Sequence, residues 1–234
     1  MHAIMSPLAR LIDDIRHILR LPTAELHFLS AISPHHALAT YRSFTARHPR
    51  FLLFRRKTIG AALIDTVPFA TAGDYLATIA RRQLAGGFAR RARQRGYRLA
   101  EIDRNQYIDD IHAINSSMNI RQGHVMAPSY ATRVTHYTDL DNYRYYGVLD
   151  AAGQLVAYCE VGLYGNFALF SRLLGYRNND GAMHLLLTEI ISQLIDEKVV
   201  RFVMYDMYFG ASEGLRHFKA MLGFQPYRVK YRLI

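Results

Sequence analysis

The segment from Gly181 to Met207, GAMHLLLTEIISQLIDEKVVRFVMYDM, restricts this chain to a fold that packs helices on a sheet. Its first part places apolar residues at the i, i+3, i+4 and i+7 positions of a helix, and its second part, VVRFVMYDM, is an apolar run typical of a strand buried on both faces. The helical stripe consists of Met183, Leu186, Leu187, Ile190, Ile191, Leu194 and Ile195. An apolar stripe of this width needs a second layer to cover it, so we predict an α/β fold.

The order of segments around this helix is regular from residue 97 onward. We predict a strand at 97–103, a helix at 104–118, a polar region with a short helix near Tyr130, and a three-stranded meander over 145–173 with turns at 150–153 and 164–166. The long helix, a strand, a helix over 211–222 and a final strand follow. The order is therefore β-α-(α)-β-β-β-α-β-α-β.

The first 95 residues have a less orderly pattern. We predict an amphipathic helix at 5–20 that ends at Pro22, one or two strands within 51–65, and a basic helix that begins near Asp74 and ends at Gly96. These segments indicate an N-terminal α/β extension over 1–95 and a second domain over 96–234.

Bulk composition excludes several classes of protein. Of the 234 residues, 50% are hydrophobic and 21% are charged, so the chain can form a packed core. The single cysteine, Cys159, excludes an intramolecular disulfide framework and a cysteine-based zinc site. The histidines lack partners at ligand spacing, so we expect no metal site. Because Asp13 and Asp14 interrupt the N-terminus and no apolar run is long enough to span a bilayer, we expect no transmembrane segment and a cytoplasmic protein.

The charge balance points to anionic partners. The formal net charge is +10 and the isoelectric point is near 9.8, which favours nucleic acid, a phosphorylated cofactor or an anionic surface, although solubility alone explains such a balance equally well. Arginines without an acid among them follow one another along the basic helix, and they could hold tRNA phosphates or simply be solvated. They are Arg81, Arg82, Arg90, Arg91, Arg93, Arg95 and Arg98.

The segment order and the C-terminal motif together resemble a known superfamily. The order from residue 97 is similar to that of the GNAT acyltransferases, and the ending resembles the FemABX-like aminoacyl transferase branch, with Tyr-Asp after a strand, a glycine, and then Phe-Lys-x-x-x-Gly-Phe. The matching residues are Tyr205, Asp206, Gly210, Gly214, Phe218, Lys219, Gly223 and Phe224. The resemblance implies a mixed, mostly antiparallel sheet flanked by helices and the transfer of an acyl group to an amine.

Two features depart from an acetyl-CoA enzyme of this superfamily. Its glycine-rich pyrophosphate loop is replaced by a segment with an acid inside it, and its general-acid tyrosine is replaced by Lys219. The cofactor-binding candidates are Arg172, Arg177, Asn178, Asn179, Gly181 and Ala182, where backbone N–H groups at a helix start would face phosphate. Asp180 would instead cap that helix. We expect acyl-CoA as the slightly preferred donor and aminoacyl-tRNA as the alternative.

The resemblance also implies which side chains take part in catalysis. Lys219 would stabilise an oxyanion or contact a phosphate, and Asp206 would orient or deprotonate the amine; a solvated lysine and a turn-initiating aspartate are the alternatives. The polar region before the meander would bind a small-molecule or peptide acceptor, with Arg121 gripping a carboxylate. Its candidates are Ser116, Arg121, Gln122, His124 and Tyr130. A non-catalytic GNAT-like module that binds nucleic acid or protein is a third possibility.

Overall fold

The computed structural model describes residues 18–49, 55–82, 85–121, 124–177 and 180–234. The strands are β1 (Thr23–Phe28), β2 (Ile59–Asp65), β3 (Arg98–Glu101), β4 (Ile120–Arg121), β5 (His124–Val125), β6 (Tyr143–Leu149), β7 (Leu155–Leu163), β8 (Phe167–Gly175), β9 (Phe202–Met207) and β10 (Gln225–Leu233). The helices are α1 (Pro34–Thr45), α2 (Ala72–Arg82), α3 (Ala85–Gln94), α4 (Ile108–Ser116), α5 (Pro128–Ala131), α6 (Ala182–Glu197) and α7 (Glu213–Met221), with a 3₁₀ turn at Arg104–Tyr107.

Eight of these strands form one sheet in the order β1-β10-β2-β9-β8-β7-β6-β3. Only the pairs β1–β10 and β8–β9 are parallel, and the other neighbours are antiparallel. The mixed, mostly antiparallel sheet flanked by helices that the resemblance implies is therefore confirmed. The strands β1 and β2 lie in this same sheet, so the predicted boundary at residue 95 falls just before β3 within one continuous sheet.

The two faces of the sheet carry different helices. On one face α2, α3, α6 and the end of α7 cover a core that includes Tyr146 and Val148 of β6. The opposite face has two separate clusters, one beneath α1 and one beneath α4, and the second includes Tyr145 and Leu149. Alternate residues of β6 thus point to opposite faces, as the two-residue period of a strand requires. The gap between α1 and α4 leaves part of the second face uncovered.

Local sequence explains where α6 and α7 begin and where α7 ends. The helix α6 starts after Gly181, whose φ of 85° favours glycine, and it buries an apolar stripe over the sheet. The hydroxyl oxygen of Ser212 accepts a hydrogen bond from the Leu215 backbone N–H at 3.4 Å and so caps α7. Gly223 follows α7 with a φ of 89°, which lets the chain reverse into β10.

Most predicted segments are confirmed, with two differences and one segment that lies mostly outside the described residues. The single basic helix predicted to begin near Asp74 and to end at Gly96 is two helices, α2 and α3. The region 119–125, expected to be a polar turn, contains the short antiparallel pair of β4 and β5. The predicted helix at 5–20 falls mostly on residues 1–17, outside the described residues. Within the described part of the chain, no helix is long and apolar enough to cross a membrane.

Candidate active site

A cleft of about 530 Å³ opens where the parallel strands β8 and β9 separate. Residues 167–169 of β8 pair with residues 202–204 of β9, and beyond these residues the two strands diverge. Ligand sites often lie at such separations because the strands leave a crevice with unpaired backbone and converging side chains. The cleft is lined by Thr40, Phe44, Lys57, Val125, Met126, Ala127, Tyr130, Tyr143, Tyr164, Leu169, Phe170, Ser171, Arg172, Leu173, Tyr205, Asp206, Leu215 and Lys219.

Lys219 of α7 reaches into this cleft from below and is almost completely buried, with 1% of its surface exposed. Its Nζ donates a hydrogen bond to the Met207 carbonyl oxygen at 2.7 Å and lies 4.5 Å from the centre of the Tyr205 ring. Burial lowers the pKa of Lys219 to about 8, the nearby Asp206 carboxylate opposes this, and Lys57 adds to it. The alternative of a solvated lysine is therefore wrong. An amine with a pKa this close to neutrality is suited to proton transfer.

Asp206 forms an ion pair at the same cleft. The Lys57 Nζ donates to its Oδ1 at 2.6 Å, and the side chains of Asp206 and Lys57 are 55% and 30% exposed. Both residues have positive φ angles, 50° for Asp206 and 32° for Lys57, a region that costs free energy for residues other than glycine. Lys57 also lies over the Phe44 ring, 4.7 Å from its centre. The Asp206 carboxylate and the Phe44 ring thus both hold the Lys57 ammonium in place, while the backbones of Lys57 and Asp206 adopt unfavourable φ angles.

Four hydroxyl groups form a continuous hydrogen-bonded chain along one wall of the cleft. The Tyr143 and Tyr164 hydroxyls are 2.7 Å apart, Tyr143 is 3.2 Å from Ser171 Oγ, and Tyr164 is 3.4 Å from Thr40 Oγ1. Burial raises the pKa of Tyr164 well above its usual range, so this hydroxyl stays protonated. The chain offers neutral donors and acceptors to the cleft through the exposed Ser171.

Arg172 adds a positive charge to the cleft from β8. Its guanidinium lies over the Tyr130 ring of α5, 5.6 Å from the ring centre, and the side chain is exposed. No ion pair links Arg172 to a carboxylate within the described residues. The predicted candidates Lys219, Asp206, Arg172 and Tyr130 therefore share one cleft, although the sequence analysis assigned Arg172 and Tyr130 to different subsites.

The start of α6 has a different environment from the one that the sequence suggests. A Cβ atom built on Gly181 would lie 2.6 Å from the Phe88 carbonyl oxygen of α3, so this glycine serves close packing between two helices. Asp180 does not cap the helix; its carboxylate accepts hydrogen bonds from Arg95 Nη1 at 3.0 Å and Tyr97 Oη at 2.9 Å. Neither Gly181 nor Ala182 lines the cleft.

The remaining acceptor and loop candidates lie elsewhere or outside the description. Ser116 is exposed at the end of α4 and does not line the cleft. Arg121 and His124 are paired in the β4–β5 ladder, but their side chains are outside the described part, as are residues Gln122, Asn178 and Asn179. Arg177 is exposed in the segment between β8 and α6 and is not part of the cleft lining.

The arginines of α3 and the following Arg95 are exposed, but two of these arginines are paired. Arg93 Nε lies 2.6 Å from Glu189 Oε1, and Arg95 is paired with Asp180. The basic helix itself contains no acid, but Asp180 just before α6 and Glu189 on α6 supply acidic partners. Arg91 lies 4.4 Å from the centre of the Phe88 ring, while Arg90 is exposed and no ion pair is recorded for it among the described residues. The predicted candidates Arg81 and Arg82 lie on α2, and their side chains are outside the described part.

Sequence reasoning missed several side chains of the cleft. Lys57 precedes β2 and meets Asp206, which is 149 positions later in the chain. Thr40 of α1 and Tyr143 of β6 lie in segments that only the sheet order brings together. The sequence offered one signal, the charged patch that ends at Lys57 within 51–65. Among the described residues, no group of three histidine, cysteine or acidic side chains is placed to hold a metal ion.

Comparison with known proteins gives similarity at the level of fold. No protein-family model and no curated protein matches the chain. Similar solved structures include FemX (10% identity, TM-score 0.49, covering 72% of this chain and 59% of that one) and L-PGS from Bacillus licheniformis (14%, 0.47, 72% and 58%). A tandem GNAT protein from the clavulanic acid biosynthesis pathway is also similar (19%, 0.43, 83% and 55%). The chain spans less than two thirds of the length of each.

Proposed function

We propose that this protein is an acyltransferase that forms an amide on an amino group bound in the cleft between β8 and β9. The observation that carries this proposal is Lys219, an amine with a pKa of about 8 at the floor of a cleft that also presents the carboxylate of Asp206. The reaction needs an ammonium that is held, deprotonated and placed against a carbonyl carbon. These two side chains supply the first two of those requirements.

The roles follow from the charges of the two side chains. Asp206, which already binds an ammonium group in the form of Lys57, holds the acceptor ammonium. Lys219 in its neutral form takes the proton, the acceptor nitrogen attacks the acyl carbon, and the carbonyl π electrons move onto oxygen. Collapse of this intermediate expels the donor's thiol or hydroxyl group, which takes the second proton that the acceptor nitrogen loses. One amide, one free thiol or alcohol and one proton result.

The start of α6 supports an ester-bound donor over acyl-CoA and so reverses the preference drawn from sequence. A pyrophosphate at this helix start would need free approach to its N–H groups. The Phe88 carbonyl closes one side of Gly181, and the Asp180 carboxylate already places a negative charge beside it. Aminoacyl-tRNA needs no such cradle, and the exposed Arg90 and Arg91 of α3 offer positive charge for its backbone.

The experiment measures amide formation with each donor. Purified protein is incubated with acetyl-CoA or with bulk aminoacyl-tRNA and a mixture of amines, and amides are detected by mass spectrometry. We expect product with aminoacyl-tRNA, a rate that rises with pH to a plateau above about 8 as Lys219 loses its proton, and loss of product in Lys219→Met. Lys230→Met, which alters an exposed lysine of β10, is the control.

Each other result has a defined meaning. Product from acetyl-CoA alone refutes the ester-bound donor and keeps the acyltransferase. Salt-dependent tRNA binding without any product would replace the enzyme with a binding module. A rate that falls with pH around 8 would give Lys219 the role of a proton or hydrogen-bond donor to the oxyanion instead of a base.

A further inference from the structure

The cleft is lined by more positively charged than negatively charged side chains. Three cations, Lys57, Arg172 and Lys219, face one carboxylate, Asp206. The Asp206 carboxylate is paired with Lys57, and burial lowers the pKa of Lys219 to about 8. Arg172 is exposed and has no carboxylate partner within the described residues. A cleft that holds an unpaired guanidinium and a carboxylate already bound to an ammonium attracts a ligand with one negative and one positive group.

The Lys57–Asp206 pair shows how the positive end of such a ligand would be bound. Lys57 Nζ is a primary ammonium on a flexible alkyl chain, and it lies 2.6 Å from Asp206 Oδ1 inside the cleft. This is the geometry in which any primary ammonium would bind that carboxylate. Lys57 therefore occupies the ammonium subsite, and a ligand ammonium must displace it.

Displacement leaves Lys57 as a free cation in the same cleft as Arg172. A ligand with an anionic group at its other end would then meet two positive charges, one of them a planar guanidinium suited to bidentate contact with a carboxylate or phosphate oxygens. The ring of Tyr130 beneath Arg172 restricts the guanidinium and so lowers the entropy lost on binding. A cavity of 530 Å³ corresponds to a sphere about 10 Å across, enough for a short chain between the two groups.

We infer that the acceptor is a zwitterion, a primary amine that also carries a carboxylate or phosphate, with its ammonium on Asp206 in place of Lys57 and its anionic group on Arg172. This inference rests on the proposed function, because it gives the substrate class of the same cleft. It replaces Arg121, the carboxylate-binding candidate from the sequence, with Arg172. Lys57 acts as a tethered competitor that keeps simple amines out unless an anionic group adds to their binding.

The test measures binding without any donor, so it is independent of turnover. The probes are the ω-amino acids from 3-aminopropanoate to 6-aminohexanoate, each with the amine and the carboxylic acid of the same chain length. Dissociation constants come from chemical-shift titration of the protein at about pH 7. We expect at least one amino acid to bind about ten-fold or more tightly than its amine and its acid. The amine and the acid each lack one of the two ion pairs, and each ion pair is worth about 1.4 kcal/mol or more.

Variants assign each end of the ligand. Arg172→Gln should remove the advantage of the amino acid over the amine, while Arg172→Lys should keep part of it. Asp206→Asn should remove the advantage over the acid. Lys57→Met has the most specific outcome, because freeing Asp206 should increase the affinity for the simple amine several-fold. Arg20→Gln, which alters an exposed arginine that precedes β1 and does not line the cleft, is the control and should change nothing.

Three outcomes would overturn the inference. The first is equal affinity for amino acid and amine in the unaltered protein, or no binding of any amino acid at tens of millimolar. The second is an amino-acid preference that survives Arg172→Gln, and the third is weaker amine binding in Lys57→Met. If the zwitterion binds as expected but no amide forms with either donor, the proposed function fails and the ligand class stands.

Discussion

Replacing Lys219 by methionine should make the protein more stable near neutral pH. A pKa lowered from 10.5 to about 8 means that the fold disfavours the buried ammonium, relative to the neutral amine, by about 3 kcal/mol. Methionine has a similar length and no charge, so Lys219→Met removes this cost and leaves the Met207 carbonyl without its donor, a loss of about 1–2 kcal/mol. We therefore expect a net increase in the free energy of unfolding of about 1–2 kcal/mol at pH 7.

The pH dependence is a sharper test than the net value because the lost hydrogen bond is largely constant with pH. The pKa of Lys219 is lower in the folded chain than in the unfolded chain, so between about 8 and 10.5 the unfolded chain binds more protons. The unfolding free energy of the unaltered protein must then rise with pH in this window, and linkage gives a gain over the variant of about 2 kcal/mol between about pH 7 and about pH 9.5.

The assay is urea unfolding followed by circular dichroism at several pH values for both proteins. The difference between their unfolding free energies should shrink or change sign as the pH rises, while Lys230→Met should follow the unaltered protein throughout. Buried tyrosines also titrate at high pH, but they are common to all three proteins and cancel in the difference. Parallel profiles for the unaltered protein and Lys219→Met would refute the burial argument, and with it the assignment of Lys219 as a base.

Two further predictions concern stability alone. Gly181→Ala should cost about 2 kcal/mol or more, because the new Cβ meets the Phe88 carbonyl at a φ of 85°, whereas Gly153→Ala has the same φ of 85° in open space and should cost about 1 kcal/mol; equal losses in thermal unfolding would contradict the packing role of Gly181. Arg104→Ala should cost about 3–5 kcal/mol, since Arg104 is 7% exposed and its loss leaves two acidic partners without a counter-ion. The exposed Arg133, paired at 2.6 Å, is its control and should lose about 1 kcal/mol or less in the same measurement.

The fold could be predicted from the sequence because its periodic segments are long and their order is informative. The stripe on α6 and the meander of β6, β7 and β8 each carry their period over many residues, so local pattern and final structure agree. The β4–β5 ladder was missed because it has only two residue pairs, too few for a period. The position of β2 between β9 and β10 was also out of reach, since no local signal encodes a strand insertion of this kind.

The site was predictable only where the motif lay close together in the chain. Asp206 of β9 and Lys219 of α7 are only thirteen positions apart, and the sequence analysis identified both in one motif. The burial of Lys219 was not predictable, because the alternation of charged and apolar residues on α7 is equally consistent with a solvated lysine. Lys57, Thr40 and Tyr143 reach the cleft through sheet pairing, which joins residues more than a hundred positions apart.

The unfavourable backbone angles and the buried ammonium of this fold are concentrated at one cleft, and that concentration argues for a function there. Four non-glycine residues in the described chain have positive φ; Ser33 and Lys198 flank helix ends, whereas Lys57 and Asp206 face each other in the cleft. Lys219, which lies beside them, adds the cost of a buried ammonium. A sequence selected for stability alone would place an apolar side chain at 219 and glycine or asparagine at 206. Because strain and a perturbed pKa meet where the sheet opens, the distribution of these costs favours the cleft as the site of the proposed reaction.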